Sequence, residues 1–164
     1  MADSRGSVEF VPVTLGRSRS RGEPSDGHDL RMDWDFDGEE FDEESKLREE
    51  TRKIMELPDL PVSATCVRVP VMVGHSIAVR ATFEREPDLG AAHEALEAFP
   101  NLVVADAPTP LEFAGRDEVA VGRVRRDLGD ASALNLFVVG DNLLKGAALN
   151  TVQIAEELVA RGHA

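Results

Sequence analysis

Apolar and polar positions change rhythm several times along the chain, and each change marks an element. From about residue 42 to 56, Glu43, Lys46, Glu50 and Lys53 recur at three- and four-residue steps, with Leu47, Ile54 and Met55 between them. That spacing predicts a helix. Leu57-Pro58-Asp59-Leu60-Pro61 ends it, because proline lacks an amide donor and disfavours helix in the residue before it. Strand-like runs follow at 62–71 and 73–84, then a helical Leu89–Phe99, then strands near 102–105, 118–125 and 133–139. The last element reads as a helix from about Asn142 to Arg161. Its Leu143, Leu144, Ala147, Ala148, Leu149, Val152, Ile154, Ala155, Leu158 and Val159 spread round much of the circumference, which predicts burial against a sheet or another subunit. Val8 to Leu15 reads as a short edge strand. Strands mixed with a few helices, without regular alternation, predict an α+β sheet covered by helices.

Composition divides the chain once. Residues 1–32 are rich in Gly, Ser, Pro and Arg, as in Gly16-Arg17-Ser18-Arg19-Ser20, and read as a low-complexity, disordered tail. Residues 33–164 read as one domain, within a chain of 164 residues that is 42% hydrophobic. The net charge of -13 disfavours non-specific binding to nucleic acid or to an anionic membrane. A single Cys forms no internal disulfide, and no apolar run reaches the roughly 20 residues of a membrane span. A cytoplasmic protein is the expectation.

The candidate chemistry gathers in Ala64–Ser76, where Arg68 and His75 interrupt an apolar run. A guanidinium clamps a carboxylate with two parallel hydrogen bonds, and an imidazole moves protons near neutral pH. Arg68, between Val67 and Val69, needs an anion, which could be an internal acid or a substrate carboxylate. His75 follows Gly74, where the backbone can turn and expose a side chain to a cleft. Cys66, among Val and Ala, reads as a small buried hydrophobe rather than a nucleophile.

Other motifs fall short. Asp33-Trp34-Asp35-Phe36-Asp37-Gly38, followed by five residues and Glu44, fits the spacing of a calcium loop. Pro24 and Gly27 spoil the entering helix, Glu40 replaces the usual apolar residue, and there is no second loop, so calcium over 33–44 is the weakest reading. No Cys and His set has zinc spacing. Gly140–Gly146 fails as a phosphate loop because Lys145 precedes the second glycine, and no Gly-x-Gly-x-x-Gly occurs.

Four motifs in order carry a resemblance: Glu50–Met55, Val62–Val71 with Gly74-His75-Ser76, Val121–Asp127, and Asp141–Glu156. Together they resemble the C-terminal catalytic and dimerisation domain of the bacterial aspartate-semialdehyde dehydrogenases. The resemblance implies a mixed, mainly antiparallel sheet covered by helices, and a homodimer. It implies NADPH-dependent reduction of aspartyl 4-phosphate to the semialdehyde, in lysine, methionine and threonine biosynthesis. By motif, His75 resembles the general acid/base and Arg68 the arginine holding the substrate α-carboxylate. Glu43 and Lys46 are similar to the pair contacting substrate and phosphate, and Asn142 to a residue near the nicotinamide of NADP. Cys66 matches a non-catalytic position. The family's nucleophilic Cys, in an Asn-Cys motif, and its glycine-rich NADP loop have no counterpart here. The resemblance therefore implies a truncated or frame-disrupted product with negligible turnover alone, or an inactive dimerisation fragment.

Overall fold

The computed structural model describes residues 7–14, 35–69 and 71–163. Nine strands are present among them: β1 (Ser7–Thr14), β2 (Phe36–Asp37), β3 (Glu40–Phe41), β4 (Val62–Ala64), β5 (Val67–Arg68), β6 (His75–Thr82), β7 (Leu102–Ala105), β8 (Val119–Arg126) and β9 (Ala133–Gly140). Four α-helices accompany them: α1 (Asp42–Ile54), α2 (Leu89–Glu97), α3 (Pro110–Phe113) and α4 (Leu149–Ala160). One π-helical turn, Leu144–Ala148, leads into α4.

Seven strands form an open mixed sheet ordered β4-β1-β6-β9-β8-β7, with β5 continuing beside β1 beyond β4. The three long pairings, β1 with β6, β6 with β9 and β8 with β9, are antiparallel. Parallel pairings occur towards the edges, β1 with β4 and β5, and β7 with β8. The expected mixed, mainly antiparallel α+β sheet is what forms.

Strand alternation sorts the core. Val103 pairs with Ala120, Ala120 with Val139, and Val139 with Ser76, so these four share one face. Phe113 from α3 packs there with Ala120 and Val139, each at most 5% exposed. The opposite face carries His75 and Ile77. Gly122 sits tight in this sheet, since a Cβ there would overlap the Pro108 ring and the Ala105 carbonyl oxygen.

Helix α1 has Asp42, Glu43 and Glu44 in its first turn and Arg52 and Lys53 in its last, the arrangement the helix dipole favours. Asp88 caps α2 by accepting the Ala91 N–H at 2.9 Å. Thr109 and Glu112 cap α3 reciprocally, with Pro110 at its first position.

Three expectations change. Ser7–Thr14 is a strand but not an edge, being paired on both sides; the rest of the tail expected over 1–32 lies outside the described residues. The run at 62–71 breaks into β4 and β5 because Glu44 Oε1 takes the Cys66 N–H at 2.7 Å, removing it from the ladder. The final helix does not cover the sheet. It packs mainly on the π turn, leaving Val152 and Ile154 54% and Val159 64% exposed.

Candidate active site

His75 opens β6 directly after Gly74, and the backbone on both sides of it is held. Gly74 has φ +103°, a conformation side-chain-bearing residues rarely adopt. A Cβ there would also lie 3.3 Å from the Gly140 carbonyl oxygen and 3.4 Å from Pro110 Cβ. The Gly74 N–H donates to Asn142 Oδ1 at 2.9 Å, and His75 itself pairs with Gly140 of β9. Pairing on one side and a side-chain bond on the other fix the strand entry that carries the imidazole.

His75 lines a cavity of about 210 Å³ on the face away from Phe113. Its walls are apolar, from Ile77, Val119 and Val138, and Asp141, Asn142 and Lys145 supply polar groups beside His75. Lys145 Nζ donates to Gln153 Oε1 across the junction of the π turn with α4. Asn142 Oδ1 is engaged at Gly74, so the amide offers a ligand only its N–H donors. A small cavity with donors at one end and an apolar wall suits a flat ring or a short anion.

Asp141 is 4% exposed and accepts three backbone N–H groups. Its Oδ2 takes Gly115 at 2.7 Å, and its Oδ1 takes Leu143 at 2.7 Å and Leu144 at 3.0 Å. The Gly115 bond, joined by those of Leu144 and Leu143 and by the nearby His75, holds its carboxyl below the usual carboxylate range, against the opposing effect of burial. The Asp141 carbonyl meanwhile accepts the Gly146 N–H at 3.1 Å, a five-residue step that makes this turn π-helical.

The other candidates lie further off. Arg68 closes β5 and pairs with Thr14, while Ser76 pairs with Val13 of the same strand. The Arg68 and His75 backbones therefore stand at one end of the sheet with β1 between them, about 10 Å apart at ordinary strand spacing. The Arg68 side chain lies outside the described residues, and so does the choice between an internal and a substrate anion. Glu43 and Lys46 pair with each other, Nζ to Oε1 at 2.9 Å, with Asp42 Oδ2 at 3.7 Å. The bond to Glu43 and its charge raise the Lys46 pKa. Helix α1 packs on β4 and on the β2–β3 hairpin, and neither Glu43 nor Lys46 lines the His75 cavity.

The described part of the acidic stretch, residues 35–44, is folded as a hairpin and a helix start. Phe36–Phe41 turns as a two-stranded hairpin through Gly38, and Glu44 is occupied by the N–H groups of Phe41, at 2.9 Å, and Cys66. Asp33 and Trp34, the start of the calcium pattern, lie outside the described residues, and no metal-holding cluster occurs among the described ones. Cys66 is 2% exposed and sits in the break between β4 and β5.

An open mixed sheet with a histidine at one strand end, beside a cavity bordered by the turn into the final helix, defines the α+β class of this domain. Sequence comparison makes the class specific. The family described as semialdehyde dehydrogenase, dimerisation domain, matches residues 33–145. The chain belongs to this family. It is 55% identical over 122 residues to the aspartate-semialdehyde dehydrogenase of Corynebacterium glutamicum, covering 73% of this chain and 36% of that protein. It is 47% identical over 126 residues to the Aquifex aeolicus enzyme of the same name, covering 73% and 37%. The solved structure of aspartate semialdehyde dehydrogenase II from Vibrio cholerae, complexed with ASA, superposes with a TM-score of 0.81 at 32% identity, over 94% of this chain and 55% of that one. The chain thus spans little more than a third of the length of the curated relatives it matches.

Proposed function

We propose that this chain supplies the substrate-clamping and proton-transfer side of an aspartate-semialdehyde dehydrogenase. The observation that carries the reading is the placement of His75 at a small apolar-walled cavity beside Asn142 and Lys145, within a sequence 55% identical to such an enzyme over 122 residues. In the complete enzyme, aspartyl 4-phosphate would be reduced to the semialdehyde with release of phosphate. Arg68 would hold the α-carboxylate, Glu43 the substrate and Lys46 the phosphate. His75 would move the proton at the reacting carbonyl. The residues present fit only one end of NADP: Asn142 offers N–H donors and the cavity has room for a ring, not for a dinucleotide. The reduced cofactor, NADPH, would supply the hydride when bound. The cytoplasm, with its amino-acid biosynthesis, is the compartment this reading implies, and among the described residues no helix is long and apolar enough to cross a membrane. A homodimer is part of the same reading.

The test is a chimaera in which residues 33–164 replace the matching part of the Corynebacterium glutamicum enzyme. It should reduce aspartyl phosphate with NADPH. Substituting His75→Ala should lower kcat by at least about 100-fold, the usual contribution of a general acid/base. Substituting Arg68→Ala should mainly raise KM. A folded chimaera with no activity, or one indifferent to His75→Ala, overturns the proposal. The unaltered 164-residue chain should show no turnover by itself.

A second reading rests on α4, whose Val152, Ile154, Leu158 and Val159 are all at least 46% exposed. Such a surface seeks a partner, and a dimerisation module without catalysis would use it. Light scattering that finds only monomer at high concentration refutes that reading.

A further inference from the structure

Asp141 joins the elements that frame His75. It follows Gly140, which pairs with His75, and it precedes Asn142, which holds the Gly74 N–H. Its carboxylate ties two further pieces of chain to that point. Gly115, just past α3, binds Oδ2, and Leu143 and Leu144, entering the π turn, bind Oδ1. An ionised carboxylate that is 4% exposed would be costly without compensation, and here both oxygens are compensated by backbone amides alone. No neutral side chain of this size accepts on two oxygens, so the site requires the charge as well as the shape. Asp141 and Lys145 both line the cavity that His75 lines.

We propose that Asp141 is a positioning residue for His75: it locks the α3 end, the β9 end and the π turn around the imidazole, and its charge favours the protonated ring. This rests on the reading of His75 as the proton-transfer group. The lowered Asp141 pKa agrees with the geometry, since the three backbone N–H groups favour the ionised carboxylate.

The experiment is a proton and nitrogen NMR titration of the isotope-labelled 164-residue chain, with the His75 ring resonance assigned through His75→Gln. In the unaltered chain the Gly115, Leu143 and Leu144 amides should shift together at a single midpoint below 3.8, and the His75 ring should show a small inflection at the same midpoint. Asp141→Asn should lower the His75 midpoint, because the His75 charge is one of the groups that hold the Asp141 carboxyl down and that coupling is reciprocal. Lys145→Met should leave the three amides unmoved. Three separate amide midpoints, or no inflection at the ring, refute the proposal even if Asp141→Asn fails to fold. An unchanged His75 midpoint in a folded Asp141→Asn refutes it directly. None of these readouts requires turnover, so a chimaera indifferent to His75→Ala would sink the acid/base assignment while the Asp141 clamp could still be observed.

Discussion

Replacing Glu44 with alanine should destabilise the domain by about 3 kcal/mol, because it leaves two backbone donors without an acceptor. Glu44 is 8% exposed and reaches in two directions, to the Phe41 N–H at 2.9 Å and to the Cys66 N–H at 2.7 Å. Leaving a buried donor unmade costs about 1–3 kcal/mol. Cys66 is 2% exposed, so no water replaces Glu44 there and the upper part of that range applies. Phe41, at the helix entry, is partly accessible, and its loss resembles that of an ordinary cap at about 1 kcal/mol. Glu44→Gln keeps one acceptor and turns an N–H₂ against the other donor, so about half the loss should remain. The assay is urea unfolding followed by circular dichroism, backed by thermal unfolding. For a chain of this size the alanine variant should melt about 6–12 °C lower. Glu43→Ala is the control, since it removes only a half-exposed ion pair with Lys46 and should cost less than about 1 kcal/mol. If Glu44→Ala is as mild as Glu43→Ala, Glu44 does not hold β4–β5 to α1 and the reasoning fails.

Gly122→Ala should cost about 3 kcal/mol or leave the chain insoluble, because the added Cβ meets the Ala105 carbonyl as well as the Pro108 ring and backbone cannot give way cheaply; recovery of folded protein with an unchanged urea midpoint would contradict this. Asp127 is held at about 2 chiefly by the Asn135 side chain, then by the Gly129 N–H and Arg80. Its stabilising effect is therefore complete above 3.8 and lost as pH falls towards about 2, so Asp127→Asn should flatten the acid limb of a stability-against-pH curve, and an unaltered slope would refute it. Val159→Asp on α4 should change stability by no more than about 0.5 kcal/mol at dilutions where the chain is monomeric, since Val159 is 64% exposed within one chain; a large loss in the unfolding midpoint there would mean that α4 is covered within the chain.

The sheet was legible because its strands are short apolar runs separated by turn or helical segments, as in His75–Thr82 and Ala133–Gly140. The helix α1 was equally plain from its charge spacing, and Pro58 and Pro61 marked its end. What could not be read was what the acids do. Glu44 counted as a metal ligand in a linear pattern, whereas its two partners lie on either side of it in sequence, one of them 22 residues away. The helix α3 did have a signature, Thr109-Pro110-Leu111-Glu112, but four residues carry no periodicity to draw the eye. For α4 the sheet is excluded as the cover, and the sequence had no means of saying so. An apolar circumference says that a helix is covered, not by what, and its Leu149–Ala160 leans on the π turn rather than on the sheet. Of the candidate site, His75 and Asn142 could be read as near neighbours only through the resemblance, since 67 residues separate them in the chain and only the β6–β9 pairing brings them together.

The two buried carboxylates explain how so acidic a chain can offer a site for an anion. Glu44 and Asp141 both give their oxygens to backbone N–H groups, and both do so beside a candidate site residue. Glu44 adjoins Glu43 and binds the amide two residues before Arg68, so the helix carrying Glu43 and Lys46 is tied to the strand carrying Arg68. Asp141 ties the turn carrying Asn142 and Lys145 to the strand carrying His75. The net charge of -13 is thus a poor guide to the local field, because a carboxylate ringed by amide donors presents much less of its charge to a ligand than an exposed one. The arrangement also sets a direction for failure. Loss of either carboxylate should separate a pair of binding groups before it removes any of them, which in the chimaera means a raised KM for Glu44→Gln and a lowered kcat for Asp141→Asn. Equal effects of both variants on both constants would show that they act only through general stability.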